Sequence, residues 1–195
     1  MLLTANGTIG VNDRFIADTH FGHTGILNQA ARPWNDIEAH DRDLIAHWNS
    51  VVSAKDVVWH LGDFAYWKLP FDRIESIFRK LNGIPRLIVG NHETEEVCTK
   101  LPWDSVDHIK VLSAGDLKIC LCHYPMREWP HWWGGGIMLH GHTHSQLPSS
   151  NRSWDVGVDN QGFLPLTLTE IAVRMAKLPN LDFRGSLLPG DTTTP

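Results

Sequence analysis

The sequence predicts an α/β fold with a second, β-rich half. In the first half, short apolar runs of strand character alternate with amphipathic helical stretches, the order expected of an α/β layer. In the second half, short apolar runs are separated by Gly, Pro and Asn turns, so we expect a second sheet packed on the first. Five of the apolar runs end directly in Asp, Asn or His residues, which also predicts a functional site.

These five runs are short, apolar and rich in β-branched residues, as is typical of buried strands. They are residues 14–17, 56–61, 86–89, 119–122 and 137–140. Amphipathic periodicity predicts helices between several of them. The predicted helices are residues 24–29, 36–52, 72–81 and 93–100, with a last strand and short helix at 165–175. We expect one domain over residues 1–178 and a disordered tail at 179–195, where Pro, Gly and Thr accumulate.

The bulk composition excludes several classes of protein. A chain of 195 residues with 42% hydrophobic residues is long and apolar enough to bury a core. Its net charge of −5 argues against strong nucleic-acid binding. No apolar run reaches the roughly 18 residues of a membrane span and no signal peptide is evident, so we expect a cytoplasmic protein without membrane contact. Cys120 and Cys122 alternate along a predicted strand, which favours buried thiols over a zinc pair. Oligomeric state is not indicated.

The polar residues at the strand ends predict one metal centre built across a sheet. They are Asp18 and His20, Asp63, Asn91 and His92, His123, and His142 and His144. Residues two apart point to the same side of an extended backbone, so Asp18 and His20 can face one ion together. Carboxylate, imidazole and amide ligands suit Mn, Fe, Ni, Co or Zn, with Mg a less natural choice. Asp63 comes from the middle of the set and carries two oxygens that could bridge two ions.

In their order, these motifs resemble the calcineurin-like metallophosphoesterase superfamily. The family pattern stands here as Asp18-Thr19-His20, Gly62-Asp63, Gly90-Asn91-His92-Glu93, His123 and Gly141-His142-Thr143-His144. The resemblance extends from about residue 15 to 171, and the longer local strings are similar to those of small bacterial and phage-type members. It implies a four-layer α/β/β/α sandwich of the metallo-dependent phosphatase type.

The resemblance also implies a ligand set for two divalent ions, with manganese the first expectation. One ion would be held by Asp18, His20 and His144, and the other by Asn91, His123 and His142, with Asp63 bridging. Ions about 3.5–4 Å apart would clamp a phosphate, and a metal-bridging hydroxide would be the nucleophile. His92 would act with Asp63 and Asn91 in catalysis, as leaving-group acid or as a donor to a phosphate oxygen. Glu93 would orient His92 from behind and favour its protonated form.

Residues outside the motifs are candidates for substrate binding. His23 could contact substrate or pack behind the ligands. Arg32 and Arg127 could clamp a phosphate, because a guanidinium forks onto oxyanions, or could be surface arginines. The tryptophans at 129, 132 and 133 could stack on a substrate ring or cover the sheet edge.

The resulting hypothesis is hydrolysis of a small phosphodiester, which could be a nucleotide diester. A phosphomonoesterase of the same fold and a non-catalytic metal-binding scaffold are the alternatives. Protein Ser/Thr phosphatases carry a G-D-x-V-D-R-G motif, whereas this chain continues from Asp63 through Phe64 to Lys68 without the Asp-Arg pair. That difference argues against a protein phosphatase.

Overall fold

The computed structural model describes residues 7–180 and shows a mixed α/β fold within them. Two five-stranded sheets and six α-helices make up this part of the chain, and parallel pairings dominate in both sheets. The predicted α/β class is confirmed. The described residues end at residue 180, so the predicted tail at 179–195 lies outside them from residue 181 onward. The single domain at 1–178 stays a prediction. Between residues 7 and 180, no helix is both long and apolar enough to cross a bilayer.

The strands of the first and second half of the chain form separate sheets. In chain order the strands are β1 (Gly7–Thr8), β2 (Arg14–Ile16), β3 (Val57–His60), β4 (Ile84–Ile88), β5 (Val106–Asp107), β6 (Ile109–Ala114), β7 (Leu117–Cys122), β8 (Ile137–His140), β9 (Ser153–Asp155) and β10 (Leu166–Thr167). The first sheet has the order β10-β2-β3-β4-β5, with β10 antiparallel and the others parallel. The second has the order β1-β6-β7-β8-β9, with β6 and β7 antiparallel. The five apolar runs correspond to β2, β3, β4, β7 and β8.

The predicted helices are all present, one with the predicted bounds and the others shorter, and one further helix, at 158–161, was not predicted. They are α1 (Thr24–Gln29), α2 (Ile37–Val51), α3 (Phe71–Phe78), α4 (Glu95–Lys100), α5 (Val158–Gln161) and α6 (Leu168–Met175). Asp36 caps α2 by accepting the Ala39 N–H at 2.7 Å, as its sequence position predicts. The predicted helix at 93–100 begins two residues later, because Thr94 caps α4 and Glu93 is bonded elsewhere.

Two apolar layers surround the first sheet. On its outer face, Trp48 of α2 packs with Ile16 and Val58, and the apolar stripes of α2 and α3 share a second cluster. Between the sheets lies the largest buried cluster, which includes Phe15 and Leu121 from opposite sheets. Residues Ile171 and Met175 of α6 also belong to this inter-sheet core. The two sheets therefore pack face to face, as the sequence predicts.

The outer face of the second sheet is covered by a connection, not by a regular helix layer. Because β7 and β8 are parallel neighbours, residues 123–136 must cross from one end of the sheet to the other. Trp129 and Trp132 are buried in this crossover against Cys120, Cys122 and Met138. Within the described residues the crossover contains a single 3-10 turn, Trp132–Gly134. The four-layer sandwich is therefore not confirmed, whereas the buried thiols agree with the prediction.

Candidate metal centre

Backbone hydrogen bonds join the two sheets at their C-terminal edge. Ala17 donates its N–H to the Val156 carbonyl at 2.9 Å and accepts the Val158 N–H at 3.1 Å, which ties the end of β2 to the end of β9. Asp18 N–H donates to the Gly62 carbonyl at 3.0 Å, which ties the ends of β2 and β3. Residues that follow strands of both sheets therefore meet at one edge.

The polar side chains at this edge gather in two groups. Group one contains Asp18, His20 and His144, and group two contains Asp63, His123 and His142. In each group, one potential ligand atom per residue lies within 4.8 Å of the others. Asn91, the remaining predicted ligand, contacts group two, because its Oδ1 is 3.1 Å from His123 Nε2. All seven residues predicted to bind metal are thus brought to one place.

Asp63 belongs to group two and also faces group one. Its Oδ2 is 3.5 Å from Nε2 of His20 in group one, and its Oδ1 is 3.5 Å from Nε2 of His123 in group two. The Oδ1 atom also accepts the backbone N–H of His92 at 2.9 Å. Each oxygen of one carboxylate therefore faces a different group, which is the geometry that a bridging ligand requires.

Group two has the hydrogen-bond pattern of a cation site. His123 Nδ1 is 2.7 Å from the Leu61 carbonyl, and because a carbonyl can only accept, Nδ1 carries the proton. Burial lowers the pKa of His123, which favours the neutral ring, and in the neutral ring Nε2 is an acceptor. That Nε2 faces two further acceptors, the Asn91 Oδ1 and the Asp63 Oδ1. Three converging acceptors are the ligand set that a divalent cation satisfies.

Group one also fits a cation. Burial raises the pKa of Asp18 well above its usual value, and the nearby carboxylates of Asp155 and Asp63 raise it further. Burial lowers the pKa of His20 well below its usual value, and neither of its buried ring nitrogens has a hydrogen-bond partner among the described residues. A divalent ion would offset the carboxylate charge and complete the coordination of His20.

The backbone of the ligand residues is unusual. Five of them have positive φ angles without being glycine: Asp18 (57°), His20 (49°), Asp63 (58°), His142 (71°) and His144 (47°). The extended geometry expected for Asp18 and His20 is therefore wrong, because the backbone there is left-handed, although both residues do enter group one. His142 and His144, which are also two apart, enter different groups. Left-handed non-glycine residues are strained and concentrate at functional sites, so this cluster is independent support for one.

Glycines make room for the central carboxylate. A Cβ atom on Gly90 would lie 2.5 Å from Asp63 Oδ1. Gly62 has a φ of +91°, and a Cβ there would lie 2.6 Å from His123 Nδ1. Both motifs thus require glycine for reasons of space, and Gly62 also for its conformation.

His92 and His23 lie beside group one. The His92 ring is edge-on to His20 at 4.6 Å between centroids, and the His23 ring is 5.4 Å from His20. The three histidines form a further close set, with potential ligand atoms within 4.8 Å of one another. His23 also stacks parallel on the Tyr66 ring at 4.5 Å. These two predicted substrate-facing residues are therefore placed at the centre, and their roles stay predictions.

Glu93 supports the strand ends and does not bond to His92. Its carboxylate accepts three backbone N–H groups, from Asp63 (3.0 Å), Phe64 (2.8 Å) and Gly90 (2.6 Å). Burial and the charge of Asp63 raise the pKa of Glu93 to about 7, which these N–H donors oppose. The prediction that Glu93 orients the His92 ring is contradicted, because all its contacts fix the loops after β3 and β4.

The two predicted arginine clamps differ in position. Arg32 is buried, and its guanidinium is bonded to Asp159 and to backbone carbonyls of the first ligand loop. The prediction that it contacts substrate is therefore wrong. Arg127 is exposed at the start of the crossover, four residues after His123, and its role stays a prediction.

The two buried residues of the tryptophan-rich segment, Trp129 and Trp132, do not offer a stacking surface to a substrate. Trp129 and Trp132 lie in the cluster behind the second sheet, and Arg152 lies over the Trp132 ring at 3.9 Å. Covering the sheet, the second of the two alternatives, is therefore what these two residues do. Aromatic rings that contact residues of the centre are instead Tyr66, beside His23, and Tyr124, whose centroid is 4.8 Å from that of His142.

Two carboxylates of the site were missed in the sequence. Asp155 is buried at the end of β9 and accepts the Thr143 hydroxyl (2.6 Å) and the Ser145 N–H (3.1 Å), which shapes the loop carrying His142 and His144. Asp159 accepts a hydrogen bond from His144 Nδ1 at 2.8 Å. Asp155 follows Ser150-Asn151-Arg152-Ser153-Trp154, which is not an apolar run, so the strand-end pattern does not identify it. Asp159 has no strand-end signal either.

Comparison with known proteins identifies relatives without an assigned activity. No family model matches the chain. The uncharacterized protein MJ1445 of Methanocaldococcus jannaschii is 30% identical over 169 residues, covering 83% of this chain and 90% of that protein. The Gene 66 protein of Mycobacterium phage L5 is 27% identical over 186 residues, covering 78% of this chain and 89% of the phage protein.

A solved structure from Aquifex aeolicus shares the fold. A protein of unknown function from Aquifex aeolicus, AQ665, superposes with a TM-score of 0.64 at 22% identity, over 83% of this chain and 98% of that one. The E. coli phosphoesterase YfcE reaches a TM-score of 0.44 at 14% identity over 74% of this chain and 77% of that one, too low to support an argument. By its identity and coverage with the archaeal relative, the chain belongs to the same protein family as MJ1445.

Proposed function

We propose that the protein is a calcineurin-like metallophosphoesterase that hydrolyses small phosphodiesters at a two-metal centre. The observation that carries this proposal is the position of Asp63, whose two oxygens face two separate groups of ligand-type side chains. The finer four-layer description of the fold and a single domain at residues 1–178 belong to the same proposal.

The side chains of the two groups would hold the ions. Group one would bind one ion, and His123, His142 and Asn91 would bind the other, with Asp63 shared. Bound divalent ions would supply Lewis acidity toward a phosphoryl oxygen and lower the pKa of a coordinated water. The mixed oxygen and nitrogen set suits manganese first, and Fe, Ni, Co, Zn or Mg also match it.

His92 is the residue to which we assign proton transfer. Its backbone N–H is bonded to Asp63 Oδ1, and its ring lies against His20, so the side chain is held beside the centre. Its Nδ1 has no hydrogen-bond partner among the described residues. The ring is therefore available either to protonate a leaving oxygen or to donate to a phosphate oxygen.

Two features support a diester over a monoester. A phosphomonoester carries a charge of about −1.5 to −2 near pH 7 and needs more cationic donors than a singly charged diester. Two arginines were predicted to supply such donors. Arg32 is buried in the interior, which leaves the exposed Arg127. Tyr66 and Tyr124 flank groups one and two, so each of two organic substituents has an aromatic ring nearby.

The test compares two model substrates on one metal-loaded preparation. We expect manganese to support turnover and kcat/KM to be higher for bis(p-nitrophenyl) phosphate than for p-nitrophenyl phosphate. A clear preference for the monoester would make the protein a phosphomonoesterase of the same fold. Metal binding without turnover of either ester, or of a panel of nucleotide diesters, would instead identify a non-catalytic scaffold.

A further inference from the structure

Arg32 is the most completely bonded side chain near the centre. Its side chain has an exposure of 0%, and each of its five N–H groups has a partner. Two bonds go to backbone carbonyls of the first ligand loop, those of Asp18 (2.6 Å) and Thr19 (3.0 Å). Two parallel bonds of 2.8 and 2.9 Å go to the carboxylate of Asp159. Such a two-point pair fixes orientation as well as distance.

Asp159 connects this arginine to a ligand of group one. Its Oδ2 accepts both from Arg32 and from Nδ1 of His144, the latter at 2.8 Å. The carboxylate thereby holds the proton of His144 on Nδ1 and leaves Nε2 as the free electron pair. Without Asp159 the ring could rotate or carry its proton on Nε2, the atom that would otherwise be available as a ligand.

His40 extends the network behind Arg32. Because a guanidinium only donates, His40 Nε2 accepts from Arg32 at 2.9 Å, and His40 Nδ1 donates to the Asp41 carboxylate at 3.0 Å. That carboxylate accepts the Gly22 N–H at 3.0 Å, just after the first ligand loop. Arg32 therefore restrains the loop of Asp18 and His20 from both sides.

We propose that Arg32 and Asp159 are positioning residues for the ion held by Asp18, His20 and His144. The inference rests on the proposed metal centre and adds an asymmetry to it. The hydrogen bonds of Arg32 and Asp159 reach both loops of group one, whereas His123 of group two is oriented by the Leu61 carbonyl. Loss of the Arg32–Asp159 pair should therefore weaken one ion and spare the other.

The test uses the full chain and measures two quantities: metal binding, and which ring nitrogen of His144 carries the proton. Manganese would be titrated calorimetrically into the metal-free parent and into Asp159→Ala, Asp159→Asn and Arg32→Lys. We expect two sites in the parent and one site about 10–100-fold weaker in Asp159→Ala, the usual effect of losing a carboxylate behind a ligating histidine. Asp159→Asn keeps an acceptor oxygen and should fall between the two.

A second readout does not depend on metal. Nitrogen-15 spectra of the metal-free protein should show His144 protonated at Nδ1 in the parent and a shift toward Nε2 protonation in Asp159→Ala. Asp104→Ala is the matched control, because it removes the partner of another arginine, Arg86, from an exposed 2.7 Å pair. This control should change neither readout.

The outcomes separate the two proposals. An unchanged His144 tautomer in Asp159→Ala, or equal weakening of both ions in a folded variant, would overturn the positioning role. A parent protein that binds no divalent ion would overturn the proposed function, and the tautomer measurement would then still decide the role of Asp159. If Asp159→Ala does not fold, Asp159→Asn provides the same two measurements.

Discussion

The two ligand groups contain similar side chains but are held in different ways. In group one, Asp18 and His20 are buried, and a buried Arg32–Asp159 pair lies directly behind the ligands. In group two, His142 is exposed, and so is Asn91 beside it. The ligands of the first group are therefore fixed by buried contacts before an ion binds, whereas the second group is completed by solvent-exposed ligands. We therefore expect a tight ion in group one and a weaker, exchangeable ion in group two.

The largest effect is expected from replacing Asp63, the carboxylate that both groups share. Asp63→Asn replaces the one carboxylate that faces both His20 and His123. We expect both ions to be weakened and turnover to be abolished, measured by metal analysis and by hydrolysis of bis(p-nitrophenyl) phosphate. Retention of two ions with parental affinity would show that Asp63 does not join the groups.

A smaller effect is expected from His92→Asn, which separates chemistry from metal binding. Turnover should fall roughly 10²–10⁴-fold, the range for a positioned acid, with both ions retained. The metal content of this variant shows whether His92 is an acid or a metal ligand, because His92 also lies close to His20 and His23. Loss of an ion in this variant would mean that His92 is a ligand and would contradict its catalytic role.

Chelation should distinguish the groups by their exposure. With increasing EDTA, the ion of group two should leave first, since His142 is exposed, and the ion of group one later. Each ion present at 100 times its Kd should contribute about 2.7 kcal/mol to the free energy of unfolding. For a domain of this size that corresponds to a loss of roughly 5–10 °C in Tm per ion. A single-step loss of both ions would contradict the asymmetry.

Glu93→Gln tests the support behind the loops that follow β3 and β4. The carboxylate accepts three backbone N–H groups, and an amide would turn one acceptor into a donor facing an N–H. We expect a loss of about 1–3 kcal/mol in the free energy of unfolding, the cost of leaving a buried donor unsatisfied. Urea denaturation measures it, with the exposed Glu95→Gln as control. Equal stability of both variants would contradict this role of Glu93.

The smallest effect is expected at the aromatic ring beside group one. Tyr66→Leu removes the ring that stacks on His23 and should raise KM for the aryl diester by roughly 2–12-fold, equivalent to about 0.5–1.5 kcal/mol. Val173→Ala, on the exposed face of α6, is the control and should leave KM unchanged. Equal KM values for the two variants would remove Tyr66 from the substrate surface.

Local sequence determined which residues meet at the centre. Each ligand follows an apolar run, and the ends of parallel strands lie along one edge, so Asp18, Asp63 and His123 could be assigned to one place from the sequence. The start of a helix could likewise be predicted where the capping residue directly precedes it, as Asp36 does for α2. These features depend on residues within a few positions of one another along the chain.

Tertiary packing decided what lies behind the ligands and over the second sheet. Arg32 bonds to Asp159, 127 positions away, and no periodicity or spacing in the sequence records that pair. The left-handed backbone at Asp18 and His20 likewise replaced the extended geometry expected of a strand end. The buried position of Trp132 follows from the parallel pairing of β7 and β8, which obliges their connection to cross the sheet. Contacts of this kind depend on how distant segments pack in three dimensions, and that arrangement is not encoded in any local pattern.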